Sequence, residues 1–402
     1  MTMPEECALA GVRVIDATDD LGAYAARLLA DLGAAVVRLE PCDGYLSEQD
    51  PTVGLPDGAQ VSLFERFVNA GKSRIVCDTR AAEGTVLLQR LCADADILLA
   101  SSWAGEPVGV SPDTFPGLVQ VFVTPFGRGE QPVGEAPDDL VVLGAGGLLA
   151  LGGYCHEGPV AAFGEQSRYA ASIYAAVGAL VGLLQRQRSG KGTIVDVSAQ
   201  ECIAQALEDS VPTFALTGRE RDRFGEVSRE AGTGIYACGD GRVAMVAGRL
   251  GTAPAWAALV AWMNEEGADR ADMLLDERWS AFPYRQTHEA IALFTEVFEG
   301  FAAKRGKQEL YVEAQRRGIA MSPVNDIDDL LDSPQLRERR FFVAREDEQL
   351  RQSLAFPGAP YRLSRTPPVV GSVARDPGAS EAVDSAELWL GTPNHPSVVV
   401  EG

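Results

Sequence analysis

Four charged side chains in the middle of the chain, three carboxylates and a guanidinium, have the types for nucleophilic attack, proton transfer or anion binding. Asp138 and Asp139 stand together before a glycine-rich run, Gly144-Ala145-Gly146-Gly147. Glu165 and Arg168 stand three apart in Gly164-Glu165-Gln166-Ser167-Arg168-Tyr169-Ala170-Ala171-Ser172-Ile173-Tyr174. A carboxylate can attack a carbonyl carbon or move a proton. A guanidinium stays protonated and only donates, so Arg168 either binds a carboxylate or phosphate or pairs with Asp138, Asp139 or Glu165. Glu165 opens the helix that contains Arg168, where a carboxylate also serves the helix dipole. Asp138 is open between a solvated charge and a proton-transfer group. Asp139 reads as a helix cap or a substrate-side group.

These side chains need elements to position them. Gly11–Asp16, a helix over Tyr24–Leu32 closed by Gly33, and Ala35–Glu40 form a strand-helix-strand unit. Such units make right-handed crossovers between parallel strands. Ser73–Cys77, Ile97–Ser101 and Val119–Thr124 read as further strands, Glu83–Leu91 as a helix. Thr193–Ser198 is a strand leading into a helix from Ala199. The expected fold class is α/β, a large Rossmann-like domain with a parallel sheet plus a small α+β domain. Tyr236–Cys238 and Val243–Ala247 flank Gly239-Asp240-Gly241 as a hairpin. Residues 248–320 are mostly helical. The expected boundaries are 1–217 for the first part of the large domain, 218–325 for the small one, and 326–402 for a return to the large one.

Composition narrows the partners. The chain has 402 residues, 46% hydrophobic and 23% charged, with a net charge of −22. That disfavours nucleic acid and anionic membrane. Seven cysteines are scattered without a C-x-x-C pair, and the three histidines, His156, His288 and His395, lie far apart. Neither a disulfide framework nor a metal site is expected. Reduced thiols and an N-terminus without a signal pattern fit a cytoplasmic protein. The richest apolar run, Ile173–Leu184, is shorter than a membrane span and has the periodicity of a buried helix. No Walker or G-x-G-x-x-G spacing is present, so no nucleotide cofactor is expected.

The stretch from Gly164 to Leu180 resembles the active-site helix of the family III CoA-transferases, which include formyl-CoA transferase and α-methylacyl-CoA racemase. Other blocks follow the family's order: Leu9–Pro41, Asn69/Lys72/Asp78, Ala93–Ser102, Val123–Pro132, Asp138–Gly153 and Arg188–Glu201. GIAMSPVNDIDDLLDSPQLRERRFF and FPGAPYRLSRTP come late in the chain. The resemblance implies an interlocked homodimer and coenzyme A as substrate. It also implies an aspartyl mixed anhydride formed by a nucleophilic Asp, whose position here holds Arg168. In the racemase branch a His precedes the aspartate block, and Asp138 takes its place. Gly232, Thr233 and Gly234 resemble the mobile glycine loop that closes over the thioester, or form a plain turn. The resemblance assigns Arg38, Lys72 and Arg74 to CoA phosphates, with Ser101 and Ser102 where relatives carry Asn-Phe; the three cations also read as surface charges near strand ends. The basic residue that relatives place after Ser102 is missing, which thins the set facing a triphosphorylated ligand. The expectation is a CoA-transferase-like enzyme acting on an acyl-CoA or related acid. The alternatives are a non-covalent isomerase, epimerase or lyase, a biosynthetic enzyme reusing the site for a non-CoA substrate, and an inactive homologue that binds.

Overall fold

The computed structural model describes residues 7–40, 52–55, 58, 60–79, 81–101, 110–129, 138–154, 156–221, 223, 225, 229–249 and 251–371. Contacts divide the chain into two compact units. The first holds the chain up to Ala150, Ala161–Glu220, and everything from Pro334 on. The second holds Leu151–Val160 and Arg221–Ser333.

In the first unit, β1 (Arg13–Ala17), α1 (Ala23–Asp31) and β2 (Ala35–Glu40) form the opening crossover. They are followed by α2 (Leu63–Val68), β3 (Ser73–Val76), α3 (Ala82–Asp94), β4 (Ile97–Ala100) and β5 (Val119–Thr124). Next come α4 (Asp139–Ala145), α5 (Gln166–Ser189), β6 (Ile194–Ser198), α6 (Ala199–Gln205) and α7 (Ser210–Thr217). The strands form one parallel sheet in the order β3-β2-β1-β4-β5-β6. The α/β class expected from the sequence is what the chain adopts.

Strand alternation splits the core. Val14, Val36, Leu99 and Val121 point to the side of α1, α5 and α6, where they meet Leu29, Ala171, Ala175 and Ala179. Ile15, Val37, Leu39 and Leu98 point to the other side and pack with Leu88 and Leu91 of α3. Both faces are covered, so apolar residues stand at consecutive positions in these strands, as at Val14-Ile15, Val36-Val37 and Ile97–Ala100.

The helix α5 lies close on the sheet because its inner face is small. A Cβ on Gly178 would sit 2.6 Å from Val195 Cγ1, and one on Gly182 would sit 2.6 Å from Val119 Cγ1. The larger apolar residues, Ile173, Val177, Val181 and Leu184, are exposed instead. The buried-helix expectation for Ile173–Leu184 holds on one face only, where Ala175, Ala176, Ala179, Gly182 and Leu183 are inside. The 24-residue helix is long and apolar enough to cross a membrane by length and composition alone, yet 44% of its most apolar stretch is buried inside the protein. That packing of the small face on β4–β6 accounts for its inner apolar residues.

The second unit has a sheet of β7 (Thr233–Cys238), β8 (Gly241–Val246) and β9 (Ala320–Pro323), antiparallel with β8 in the middle. The β7–β8 hairpin turns at Gly239-Asp240, as its residues dictate. Helices α8 (Ala253–Glu265), α9 (His288–Ala302) and α10 (Lys307–Arg316) cover one face. Trp256, Trp262, Trp279, Phe294, Phe298 and Phe301 fill the space between. The chain then re-enters the first unit with α11 (Pro334–Glu338) and the hairpin β10 (Phe342–Asp347) and β11 (Gln352–Pro357).

Candidate active site

Strand β1 ends in Asp16-Ala17-Thr18-Asp19-Asp20, at the carboxyl edge of a parallel sheet, where α/β folds place their ligands. Asp16 is fully buried and bonded to Lys72 Nζ at 2.7 Å, Arg38 Nη1 at 3.0 Å and the Thr18 hydroxyl at 2.6 Å. Burial alone would raise its pKa; the charges of Lys72 and Arg38 outweigh it and hold Asp16 at about 2. Lys72 donates also to the Ala23 carbonyl at 2.8 Å and to Asn69 Oδ1 at 2.9 Å, so all three of its protons are placed. Burial pulls Lys72 down to about 8, against the opposing pull of Asp16.

Arg38 has no exposed surface and lies 3.5 Å from Glu40 as well. Arg74 pairs with Glu40 at 2.5 Å and Glu65 at 3.4 Å. The cations assigned to CoA phosphates therefore neutralise core carboxylates in this structure. A phosphate would have to displace those partners to bind them. The Ser101 hydroxyl donates to Asp19 Oδ1 at 2.8 Å and accepts from the Asp19 N–H at 3.0 Å. Ser102 lies outside the described residues.

The start of α5 is a charge cluster. Arg168 Nε lies 3.2 Å from Glu165 Oε2, and its Nη2 lies 3.5 Å from Asp20 Oδ2. Its guanidinium carbon stands 5.4 Å from the Phe64 ring centre. The Arg168 side chain is 16% exposed. Asp19 is close enough to feel Arg168, yet burial raises its pKa above the ordinary carboxylate range. Glu165 is thus drawn to Arg168, the partner one turn along the helix, and Arg168 has two carboxylates of its own chain.

Asp138 and Asp139 hold helix ends. The Asp138 carboxylate accepts the Asp139 N–H at 2.6 Å and caps α4. Asp139 reaches across to α5, where Oδ1 accepts the Ser167 N–H at 2.7 Å and the Ser167 hydroxyl at 2.5 Å. That bond ties α4 to the start of α5 and supplies the cap that Glu165, at the N-cap position, does not make. The sequence-derived residues Glu165 and Arg168 are brought together with Asp20; Asp138 faces its own helix end.

In the second unit, Gly232 forms a turn with φ of 83°, and a Cβ there would meet the Gly248 nitrogen and the Trp256 ring at 2.9 Å. Its N–H donates to the Tyr236 hydroxyl at 3.2 Å. Thr233 and Gly234 belong to β7, paired with Val246 and Met245. The run read as a loop is therefore a one-residue turn followed by strand, because β8 offers partners for its backbone.

Sequence reasoning passed over Asp19 and Asp20. The available signal was their place just past the carboxyl end of a parallel strand. Two buried thiols are held in the protonated form: burial pushes Cys92 up to about 12 and Cys202 up to about 11. Among the described residues no group of three or more His, Cys, Asp or Glu side chains is placed to hold a metal ion.

Comparison with known proteins bears on this site. A model described as CoA-transferase family III matches residues 9–380. The chain is 35% identical over 379 residues to succinyl-CoA:(R)-benzylsuccinate CoA-transferase subunit BbsE of Thauera aromatica, covering 90% of this chain and 92% of the relative. It is 26% identical over 385 residues to the succinyl-CoA–L-malate CoA-transferase alpha subunit of Chloroflexus aurantiacus, covering 91% of this chain and 85% of the relative. Among solved structures, a CAIB/BAIF family protein from Brucella suis superposes with a TM-score of 0.81 at 22% identity, covering 96% of this chain and all of the other.

Proposed function

Since the chain belongs to CoA-transferase family III, we propose that it is the nucleophile-free subunit of a two-chain CoA-transferase. Its partner is a second chain of the same family that carries the carboxylate. The substrates are a dicarboxylic acid and the CoA thioester of another, such as a succinyl group.

The observation that carries this reading is the state of residue 168. The family reaction needs a carboxylate at that place to open the thioester. It forms an acyl-enzyme anhydride and releases CoA thiolate. The thiolate attacks the enzyme carbonyl and frees the donor acid; the acceptor acid then displaces and takes up the thiolate, regenerating the carboxylate. Arg168 cannot attack, and it is committed to Glu165 and Asp20. Glu165, the nearest substitute, would have to leave that ion pair before attacking. The Thauera aromatica relative and the Chloroflexus aurantiacus L-malate relative are named as subunits, and both names pair succinyl-CoA with a second dicarboxylate. Exposed apolar residues on α5 and α7, among them Val181, Leu184, Phe214 and Leu216, fit a surface that another chain covers.

Reconstitution tests the reading. This chain alone should transfer no CoA from succinyl-CoA to a dicarboxylate. Mixed with a family III chain bearing Asp at the matching place, it should form a stable complex with transferase activity. Replacing that Asp by Asn should abolish turnover, while Arg168→Ala in this chain should leave it within about tenfold, since the loss is of positioning and not of the nucleophile. Full turnover by this chain alone, as a homodimer, would contradict it.

A further inference from the structure

The two late sequence blocks, Leu336–Phe342 and Phe356–Pro367, converge on one cleft of about 710 Å³ in the first unit. That is the size of a small-molecule site. Arg339, Arg340, Arg345 and Arg362 line it, with Glu338 as the one acidic lining residue. The surrounding segment, residues 334–371, has seven arginines against four carboxylates in a chain whose net charge is −22. Among the described residues none of the four lining arginines forms an ion pair with a carboxylate. The nearby Asp31 is already bonded to Arg27 at 2.7 Å.

The four arginines differ in how they are held. Arg345 is fixed on backbone carbonyls, Val370 O at 2.6 Å and Gly371 O at 3.1 Å. Arg339 and Arg362 each make one long contact of 3.4 Å, to Pro360 O and Glu338 O. The Arg340 side chain has no hydrogen bond or ion pair among the described residues. Its backbone is unusual too. Phe341 N–H to Leu336 O and Arg340 N–H to Arg337 O, both 2.9 Å, close α11 in a Schellman motif. Arg340 occupies the left-handed position of that motif, with φ of 48°, where glycine is the ordinary residue. This places an arginine where glycine is the ordinary residue, on the wall of a cleft that three other arginines also line.

The cleft is separate from the Arg168 cluster. Helix α1 runs from the carboxyl end of β1 back to the amino edge of the sheet. Asp31 is its last residue, and its carbonyl accepts the Val369 N–H at 2.7 Å. The Val369–Gly371 wall therefore lies at the edge opposite Asp19 and Asp20.

We propose that this cleft binds a phosphate-bearing anion, with Arg339, Arg340 and Arg362 as its donors and Arg345 as a fixed positive charge. Guanidinium forks match phosphate oxygens in pairs, and several together suit a ligand with two or more phosphate groups. The ligand is either a free polyphosphate or the phosphorylated ribonucleotide end of CoA; the shared chemistry is the phosphate.

Calorimetry on the full chain tests this, with inorganic pyrophosphate and adenosine 3′,5′-bisphosphate as probes and adenosine as the uncharged control. At least one phosphate probe should bind, more weakly as salt rises, and adenosine should not. Tenfold tighter binding of the bisphosphate assigns the nucleotide source; equal or tighter pyrophosphate binding assigns the free anion. Arg340→Gly should weaken binding at least tenfold while its Tm stays level or rises, because glycine suits the backbone there. Arg339→Ala with Arg362→Ala should weaken it at least as much. No binding of either probe at low salt, or unchanged affinity in both variants, would overturn the proposal.

Discussion

Arg168 and Asp16 illustrate two uses of charge within a few residues of the same strand end. Asp16 takes the charges of two buried cations, Lys72 and Arg38, and its low pKa makes it a stability element. In the folded chain it titrates at about 2, against an ordinary value of 3.8. Its contribution, about 2 kcal/mol, is present above about pH 4 and is lost as pH falls toward 2. Asp16→Asn should cost about 3–5 kcal/mol in denaturant unfolding, since it strands two buried cations. The variant should also flatten the acid limb between pH 4 and 2. Arg168 is less buried, so Arg168→Ala should cost less, about 1–2 kcal/mol. That loss should be larger at pH 7 than at pH 4, because burial raises the Asp19 carboxyl and the charge of Arg168 favours its ionised form. Thermal melts at the two pH values check the sign. The sequence displays Glu165 and Arg168 three apart on a helix, so their pairing is legible from spacing alone. Asp20 joins them only through packing of α1 on α5, which no local pattern announces. Lys72 and Arg74 read as phosphate ligands because their carboxylate partners come from other strands.

At the level of elements, the start of α5 depends on a residue from α4. Asp139→Ala should cost about 1–2 kcal/mol, the range of a lost cap, with amide exchange rising first at Ser167 and its neighbours. The same helix tests the packing account on its inner face. Gly182→Ala improves helix propensity, yet the new Cβ meets Val119 at 2.6 Å. The variant should lose about 1–3 kcal/mol in chemical denaturation; a gain would show that the sheet can yield. Strands β1, β2, β4 and β5 were legible from consecutive apolar residues, because both faces of the sheet are covered. The exposed apolar side of α5 was misread for the same reason: hydrophobic residues mark burial, and here they face outward. Helix α7 gave no clear periodic signal, since Val211, Phe214 and Leu216 are all exposed. The strand beginning at Thr233 rather than Tyr236 follows from pairing with β8, a tertiary choice that glycine-rich sequence conceals.

For the molecule as a whole, the proposal joins a family fold to a charge cluster of Arg168, Glu165 and Asp20. The chain belongs to CoA-transferase family III and folds around a six-stranded parallel sheet. On the proposed reading, Arg168, paired with Glu165 and Asp20, stands where the family resemblance places the reactive carboxylate. Apolar surface on α5 and α7 is left exposed, which fits a chain that works in an assembly. The most direct test is hydroxylamine trapping of the reconstituted pair during turnover of succinyl-CoA, with the modified residue located by peptide mass spectrometry. The account predicts a hydroxamate on the partner's aspartate and none on this chain. A hydroxamate on Glu165 or Asp138 would contradict it and make this chain a transferase with a relocated nucleophile.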